Sequence, residues 1–403
     1  MKEVVIVDAV RTPSGNHGGA LRTVPPQELG ATVIRALVER NHLDPATVDH
    51  VIMGCVAQPS DAANIARVCA LMAGLPVQVP AITLARNCDS AMDAIIDAWR
   101  MMQLDEAEII IAGGTESMSN IPYLVKGARW GLKLRHSELT DGLWEGLTDP
   151  ICGQLMGRTA ENLAEEFGIP REDQDQFAVQ SHKKAFMATR MGKFADEIVP
   201  VEVVKKVAGQ EVAREPITQD ETINPALSTQ KAALYPTIFK KNGTVTPANA
   251  CGISDGASAV LICTAQKAKE MGWTPLAYYV AHAYAGVEPE RMGIAPSLAM
   301  PRALRKAGLS LDNMDLVEVN EAFASQVLSV GKAMEQQGHR WDWNKFNVNG
   351  GAIALGHPVG SSGCRIIVTM LYELKRRNAR YGLASLCAGG GQGSAVILER
   401  RAG

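Results

Sequence analysis

Residues 80–114 read PAITLARNCDSAMDAIIDAWRMMQLDEAEIIIAGG. The short apolar run Ala81–Leu84 has strand character, and Met92–Gln103 carries apolar residues at helical spacing. Glu108–Gly113 is apolar nearly throughout, which is typical of a strand that helices cover on both faces. The stretch therefore predicts a strand, a turn at Cys88, a helix and a buried strand, the order of an α/β protein.

A second stretch, Phe346–Gly391, repeats this order. Asn347–Asn349 leads into a glycine-rich loop around His357, a predicted helix runs to about Arg377, and a strand then ends before Gly389–Gly391. The shared order of strand, turn, helix, strand and glycine pair indicates two similar halves. The alternative is that any α/β chain shows such an order.

Further strands and helices alternate outside these two stretches. We predict them, in chain order, at Val4–Ala9, Pro26–Arg40, Val48–Met53, Asn64–Ala73, Ser258–Thr264 and Ala277–Ala285. Residues of about 120–245 are more charged, and they mix the predicted helices Thr159–Phe167 and Arg171–Arg190 with irregular stretches at Arg129–Cys152 and Gly209–Thr229. We interpret this region as an insertion laid over a core domain.

Composition excludes several classes of protein. The 403 residues are 46% hydrophobic and 21% charged, as in an ordinary globular protein, and the net charge is −3. We therefore expect no nucleic-acid partner. The sequence has no apolar run long enough to span a membrane and no signal peptide pattern, so we expect a cytoplasmic protein without a membrane span.

The eight cysteines contain no C-x-x-C pair, which argues against a zinc site, and we expect no metal. They are scattered through a chain too large to need disulfides, which indicates free thiols in a reducing compartment. Taken singly, a cysteine of this kind is most often buried and structural.

Cys88 is the strongest candidate for a reactive thiol. It follows the apolar strand and precedes the helix, so the helix dipole and free backbone N–H groups would lower its pKa. Asp89 would raise that pKa if its charge stayed close, although it could instead cap the helix or contact the other half. The carboxyl end of a strand is also where α/β sheets bind ligands.

The C-terminal half supplies matching groups at similar places. His357 lies in the loop Gly350–Pro358, which has few bulky side chains, and the alternative is an ordinary exposed loop histidine. Cys387 ends an apolar strand directly before Gly389–Gly391, where backbone N–H groups could approach a ligand oxygen. Asn320 follows another strand, and two thiols, a base and an amide together favour acyl transfer.

These motifs resemble those of the thiolase family over essentially the whole chain. The matching segments are Val7–Pro13, Gly113–Ser119, Met156–Asn162, Gly243–Thr246 with Asn249, Ser254–Ala257, Asn320–Ala324, Gly356–Pro358 and Cys387–Gly390. Each motif alone is weak, but together they stand in the family's order and at its spacing.

The resemblance implies an α/β fold of five layers, αβαβα, built from two similar βαβαβαββ halves with an inserted α-rich covering domain. The N-terminal half would comprise residues 1–120 plus 246–276, the covering domain 121–245, and the C-terminal half 277–403. The resemblance also implies a homo-oligomer, either a dimer or a tetramer made of paired dimers.

The family's catalytic roles fall on five residues. Cys88 matches the nucleophile that becomes acylated, and His357 matches its base. Asn320 matches the residue that holds a water in the first oxyanion hole. Cys387 matches the second acid–base group. Backbone N–H groups of Cys88 and Gly389 match the second oxyanion hole.

The residues that match the family's CoA and substrate contacts are Leu155, Met156, Ala248, Cys251 and Phe323. Several positions depart from the usual pattern. The nucleophile motif, usually C-[GS]-S-G, reads Cys88-Asp89-Ser90-Ala91. Leu155 replaces the histidine that precedes the Met-Gly of the covering motif in acetoacetyl-CoA enzymes. Cys251 replaces a serine that contacts CoA, and Asn224 replaces an arginine that binds the CoA nucleotide.

The resemblance therefore implies an acyl-CoA acyltransferase with ping-pong kinetics. Such an enzyme cleaves a 3-oxoacyl-CoA with CoA or runs the reverse Claisen condensation, and CoA is a substrate rather than a cofactor. The departures favour a longer or bulkier 3-oxoacyl-CoA, as in β-oxidation or in aromatic degradation. A hydratase/dehydrogenase of β-oxidation is the partner that the first of these would imply. Two alternatives remain: a decarboxylating ketoacyl synthase, and a non-catalytic CoA-binding subunit.

Overall fold

The computed structural model describes residues 1–207 and 210–401. The strands in these ranges are β1 Val4–Arg11, β2 Gly15–Asn16, β3 His50–Gly54, β4 Ala81–Leu84, β5 Ile109–Ser117, β6 Tyr123–Leu124, β7 Thr140–Asp141, β8 Val201–Val207, β9 Gln210–Ile217, β10 Ser254–Thr264, β11 Ala277–Gly286, β12 Leu316–Val319, β13 Tyr381–Ala388 and β14 Gln392–Glu399. The α-helices are α1 Pro26–Arg40, α2 Ile65–Met72, α3 Ser90–Gln103, α4 Gly142–Gly146, α5 Met156–Glu166, α6 Arg171–Arg190, α7 Thr229–Ala232, α8 Ala265–Glu270, α9 Pro296–Ala307, α10 Ala324–Gln336, α11 Ala352–Leu355 and α12 Ser362–Arg377.

The main strands form two groups that have the same pattern. One group runs in the order β4-β3-β5-β10-β1, and the other runs β12-β13-β14-β11. In each group the outer strands pair in parallel and the inner strands pair antiparallel. The groups join through β1 and β11, where Val5 and Ile6 pair with Tyr278 and Ala277.

The edge of the second group completes the repeat. Phe346 forms an isolated parallel bridge to Val317 on β12, in the position that β4 occupies beside β3. The chain leaves β4 toward Cys88 and leaves Phe346 toward His357, so both loops depart from equivalent edges of their strand groups.

Five layers result from the packing of helices on these strands. Helices α3 and α12 contact each other and pack against strands of both groups. Helices α1 and α2 cover the other face of the first group, and α9 and α10 cover the other face of the second. Along β1, Val4 and Ile6 face the central core while Val5 and Val7 face the outer core. The predicted αβαβα arrangement is confirmed.

The segment between β5 and β10 differs in part from the sequence prediction. Helices α5 and α6 lie close to the predicted bounds. The stretch Gly209–Thr229 was expected to be irregular, but its residues Gln210–Ile217 form a strand that pairs with Val201–Val207. The charged residues hid the alternating pattern of this hairpin, whose Val201 and Val203 pack on the outer core. Gly209 lies outside the described residues, as do residues 402–403 of the predicted C-terminal half.

The predicted irregular stretch Arg129–Cys152 contains the short elements β7 and α4. Among the described helices, none combines the length and the apolar character that crossing a membrane requires.

Candidate active site

Cys88 lies in a tight turn between β4 and α3. Asn87 adopts a left-handed backbone conformation with φ of 47°, which reverses the chain before the helix begins at Ser90. The Ser90 hydroxyl closes the turn, because it accepts a hydrogen bond from the Arg86 N–H at 2.9 Å and donates one to the Asn87 carbonyl at 2.6 Å. The turn thereby holds the Cys88 backbone in place.

Gly389 brings the C-terminal half to this thiol. Its backbone N–H lies close to the sulfur of Cys88 and acts to lower the pKa of that thiol. Its carbonyl accepts a hydrogen bond from Nδ2 of Asn87 at 2.8 Å, and the next N–H, that of Gly390, donates to Oδ2 of Asp149 at 3.1 Å. The peptide group between Gly389 and Gly390 is therefore held on both sides, directly after the N–H that faces the sulfur.

The Cys88 thiol is neutral in the resting protein. Burial among apolar groups raises its pKa to about 12, and the charge of Asp89 adds to this. The N–H groups of Gly389 and of Cys88 itself oppose the increase only in part. The expectation that the helix terminus lowers this pKa is therefore wrong, and ionisation of Cys88 requires a base.

Asp89 lies between the halves and does not cap α3. Its carboxylate is fully buried, and it makes no capping hydrogen bond to the helix. Burial raises its pKa well above the ordinary value, and the hydroxyl of Ser394 on β14 and the charge of Arg86 oppose this only in part. Both of its carboxylate oxygens lack a hydrogen-bond partner among the described residues, so Asp89 neither caps the helix nor makes a hydrogen bond to the other half, although Ser394 of that half lies near it.

Two further thiols lie near Cys88. Cys387 is the second-last residue of β13 and is fully buried, and burial and then the neighbouring Cys88 raise its pKa well above the ordinary value. Cys251 donates its N–H to the Ala322 carbonyl at 3.0 Å, and burial raises its thiol pKa to about 12, again with a contribution from Cys88. The structure thus gathers Cys88, Cys251, Cys387 and Gly389.

His357 and Asn320 form the second part of the site. Nδ2 of Asn320 lies 3.5 Å from both ring nitrogens of His357. The His357 ring also contacts Ser362, whose Oγ is 2.6 Å from Nδ1. Burial, aided by the positive charge of Arg365, lowers the pKa of His357 to about 3, so its imidazole is neutral at physiological pH.

Asn320 is held at the end of β12 with a free amide oxygen. Its N–H donates to the Ser385 carbonyl at 3.0 Å, and its buried Oδ1 has no hydrogen-bond partner among the described residues. The next residue, Glu321, is buried and accepts hydrogen bonds from Ser181 Oγ at 2.6 Å and Asn347 Nδ2 at 2.8 Å. An unpaired buried acceptor of this kind suits a bound water or a reacting group.

A cavity of about 900 Å³ opens onto Cys88, Gly389 and Gly390. Most of its side chains are apolar, and they include Val56, Met118, Ile121, Leu143, Trp144, Leu147, Ile151, Met156 and Val359. The volume and the apolar lining are in the range of small-molecule sites in proteins. Cys88 is therefore both a protein-enclosed thiol and part of a cavity wall.

The predicted CoA contacts are distributed over three places. Met156 lines the cavity, and it packs with Phe323 and Cys387 in one apolar cluster. Leu155 precedes α5 and bridges to Thr148, close to the cavity rim. Ala248 packs elsewhere, against a cluster that joins α6 and α7.

The predicted catalytic set leaves out three residues whose side chains fix the site. Ser362 contacts His357, Asn87 holds Gly389, and Asp149 holds Gly390. Asn87 alone had a local signal, since asparagine is enriched where the backbone is left-handed. The other two contacts depend on tertiary structure. In the described part of the chain, no group of three or more histidine, cysteine or acidic side chains is placed to hold a metal ion.

Comparisons with known proteins agree with this geometry. The family model for the N-terminal domain of thiolase matches residues 4–266, and the model for its C-terminal domain matches residues 273–400. An acetyl-CoA acetyltransferase of Pseudomonas aeruginosa is 48% identical, with 99% of this chain and 100% of that protein covered. A probable acetyl-CoA acyltransferase of Staphylococcus epidermidis is 42% identical, with 99% of each covered.

Two solved structures are also similar over their full lengths. The acetyl-CoA acetyltransferase of Bacillus anthracis has a TM-score of 0.95 and 44% identity, with 99% of each chain covered. Human mitochondrial 3-ketoacyl-CoA thiolase has a TM-score of 0.94 and 42% identity, with 100% of this chain and 99% of that chain covered. This chain therefore belongs to the thiolase family and is an acyltransferase that acts on acyl-CoA thioesters.

Proposed function

We propose that this thiolase cleaves 3-oxoacyl-CoA thioesters longer than acetoacetyl-CoA and that Cys88 carries the acyl group. The observation that carries this proposal is the apolar cavity of about 900 Å³ with Cys88 in its wall. An apolar wall beside the nucleophile stabilises an alkyl chain, because burial of each methylene contributes about 0.8 kcal/mol.

The first half-reaction begins with proton transfer from Cys88 to His357. The thiolate attacks the 3-oxo carbon, the bond between C2 and C3 breaks, and the acyl group remains on sulfur. The position of the Gly389 and Cys88 N–H groups close to the Cys88 sulfur, where both act to lower its pKa, supports a role of these groups as donors to the acyl oxygen. One such donor contributes about 2.7–4 kcal/mol to the transition state.

Cys387 gives its proton to C2 of the departing enolate, which leaves as acetyl-CoA. In the second half-reaction Cys387 takes the proton of the incoming CoA thiol, and the CoA sulfur attacks the acyl-Cys88 thioester. The bond between the acyl carbon and the Cys88 sulfur breaks, and the Cys88 thiolate takes back the proton that His357 holds. The proximity of Cys387 to Cys88 supports this assignment. Asn320 and His357 lie 3.5 Å apart, which supports a shared role in binding the thioester oxygen, with a water on Asn320.

Two departures from the family pattern favour the longer substrate. Leu155, in the place of a family histidine, removes a polar group next to Met156, and Cys251 replaces a polar hydroxyl with a thiol. Human mitochondrial 3-ketoacyl-CoA thiolase is a structural relative that has also been solved with CoA. By analogy we assign CoA and acyl-CoA binding to Leu155, Met156, Ala248, Cys251 and Phe323, with CoA as a substrate and no further cofactor.

We further propose that the chain is divided as the resemblance implies, into residues 1–120 plus 246–276, 121–245 and 277–403. We expect a cytoplasmic homo-oligomer, either a dimer or a tetramer, and association with a hydratase/dehydrogenase of β-oxidation. Size-exclusion chromatography with light scattering tests the oligomer directly.

The substrate is tested by comparing kcat/KM for acetoacetyl-CoA with kcat/KM for 3-oxoacyl-CoAs of increasing chain length. We expect a higher value for the longer chains. A clear preference for acetoacetyl-CoA would contradict the proposed chain length while leaving the chemistry in place.

The nucleophile is tested by incubation with iodoacetamide at neutral pH, followed by peptide mapping of all eight cysteines. We expect activity to be lost in step with modification of Cys88, and acyl-CoA to protect that residue. Inactivation through another cysteine would overturn the assignment. Decarboxylation of malonyl thioesters without thiolysis would favour the ketoacyl synthase alternative, and CoA binding without any turnover would favour the non-catalytic subunit.

A further inference from the structure

We propose that Ser362 is a positioning residue that accepts the Nδ1 proton of His357 and so keeps Nε2 as the nitrogen that takes the proton from Cys88. This inference rests on the proposed role of His357 as the base. Ser362 is not among the residues assigned to the reaction above.

The contacts of Ser362 are short and enclosed. Its Oγ lies 2.6 Å from Nδ1 of His357 and 2.9 Å from the carbonyl oxygen of Pro358. The residue is fully buried at the first position of α12. No other side-chain oxygen of a described residue has a hydrogen bond with this ring, and the amide nitrogen of Asn320 lies farther off, 3.5 Å from both ring nitrogens.

The donor and acceptor pattern fits a protonated histidine. When His357 holds the proton of Cys88, both of its ring nitrogens carry hydrogen. The Ser362 oxygen must then accept from Nδ1, and its own hydrogen can be taken by the Pro358 carbonyl, which also accepts the backbone N–H groups of Ser361 and Ser362. The serine therefore gives the imidazolium an acceptor that needs no rearrangement of the backbone.

The need for this acceptor follows from the surroundings. Burial lowers the pKa of His357 to about 3, so the imidazolium is costly in this site. The charged groups that act on the reacting pair are Arg365 on His357, and Asp89 and Glu116 on Cys88. All of these charges oppose formation of the thiolate–imidazolium pair, so the hydrogen bond from Nδ1 to Ser362, like the N–H groups near the Cys88 sulfur, is a contribution that favours the pair.

The proton transfer itself is balanced within the two side chains. The S–H bond of Cys88 breaks, an N–H bond forms at Nε2 of His357, and the existing Nδ1–H bond stays intact. Ser362 contributes no proton to the substrate, and its effect acts only through His357.

The experiment measures how fast a 3-oxoacyl-CoA acylates Cys88 at pH values from 6 to 10. Mass spectrometry of the peptide that contains Cys88 gives the acylated fraction. We compare the wild type with Ser362→Ala, with Ser362→Cys, which fills the same space with a poorer acceptor, and with Ser362→Thr, which retains the hydroxyl. Ser361→Ala is the matched control, because Ser361 is also buried, and its hydroxyl pairs with Ser258 at 2.8 Å rather than with His357.

We expect Ser362→Ala and Ser362→Cys to slow acylation about 10–100-fold at pH 7, as for loss of other groups that orient a reacting side chain. The deficit should shrink as pH rises, because hydroxide then ionises the thiol without His357. KM should change less than kcat, Ser362→Thr should recover most of the rate, and Ser361→Ala should follow the wild-type profile.

Wild-type acylation rates in Ser362→Ala, or a loss that is equal at every pH and shared by Ser361→Ala, would overturn the role of Ser362. These results would leave the proposed function intact as long as wild-type Cys88 is acylated. Absence of acylation at Cys88 in the wild type would overturn the proposed function, and the role of Ser362 with it.

Discussion

The side-chain amide of Asn87 donates a hydrogen bond to the carbonyl oxygen of Gly389 at 2.8 Å. Asn87 belongs to the turn before α3, whereas Gly389 follows β13 near the other end of the chain. The same glycine points its N–H at the sulfur of Cys88. One hydrogen bond thus links the turn that carries the proposed nucleophile to the glycine whose N–H we assign to the acyl oxygen.

Replacing Asn87 with glycine tests this link. Glycine accepts the left-handed backbone of the turn, so the change removes the amide without imposing strain. We expect kcat to fall about tenfold, less than the roughly 10²–10³-fold cost of deleting an oxyanion donor outright, because the Gly389 N–H remains and only its orientation loosens. Steady-state thiolysis kinetics measure the effect.

Asn378→Gly is the matched control for that variant. Asn378 also has a left-handed backbone, with φ of 51°, and its side chain accepts a hydrogen bond from Arg400 at the far end of α12. We expect this control to keep the wild-type kcat. Equal losses in both variants would indicate a general effect of added glycine, and no loss in Asn87→Gly would refute the link to Gly389.

Asp89→Asn tests the electrostatics of the Cys88 thiol. The carboxylate of Asp89 raises the pKa of the Cys88 thiol, so removing its charge stabilises the thiolate and lowers that pKa. We expect the midpoint of the pH dependence of Cys88 alkylation to move downward by about one unit. The measurement is the rate of iodoacetamide modification against pH.

Asp93→Asn provides the comparison for Asp89→Asn. Asp93 lies one helical turn farther along α3 and pairs with Arg86 at 2.9 Å. Its replacement should leave the alkylation midpoint of Cys88 where it is in the wild type. An unchanged or higher midpoint in Asp89→Asn would show that the carboxyl is already neutral where the thiol titrates.

The sequence was most informative about elements with a strong local pattern. Helices α1 and α6 have the predicted bounds, because apolar spacing and flanking prolines mark them. The repeated strand–turn–helix order indicated that the loops carrying Cys88 and His357 follow equivalent strands of the two halves. The structure agrees, because β4 pairs with β3 in the first half and Phe346 bridges to β12 in the second. Local periodicity and topology were sufficient for these features.

Features that depend on distant contacts could not be predicted in this way. The pKa of Cys88 was expected to fall at a helix terminus, but burial dominates, and burial is a property of the whole fold. The partners of Gly389 and Gly390 lie about 302 and 241 residues away in the chain. Nothing in the neighbourhood of Asp149 or Ser362 in the sequence signals that either one supports the site.

Filling the cavity should change the choice of substrate. Leu147 lines the cavity, and tryptophan in its place would occupy volume that a long acyl chain needs. We expect Leu147→Trp to lower kcat/KM for longer 3-oxoacyl-CoAs about tenfold or more while changing the value for acetoacetyl-CoA less, since lost burial of two methylenes alone accounts for about 1.6 kcal/mol.

Leu139→Trp controls for the added indole in that experiment. Leu139 is 67% exposed and does not line the cavity, so its replacement should leave kcat/KM for both substrates unchanged. If Leu147→Trp lowers kcat/KM equally for both substrates, the cavity binds a part common to them, such as the pantetheine arm of CoA. The assignment of the acyl chain to this cavity would then be wrong.

The buried carboxylate of Glu321 joins helix α6 to the segment that carries Asn320. Ser181 on α6 donates to it at 2.6 Å and accepts the N–H of Gly351 at 3.1 Å. Ser181→Ala removes both contacts and leaves a carboxylate oxygen and an N–H with fewer partners, at a cost of about 1–3 kcal/mol in unfolding free energy.

Thr189→Ala, which loses a hydroxyl bonded only within α6, should cost less. Thermal unfolding of the two variants measures the difference, and a Tm for Ser181→Ala at or above that of Thr189→Ala would show that Asn347 and the Ile353 N–H satisfy Glu321 without Ser181.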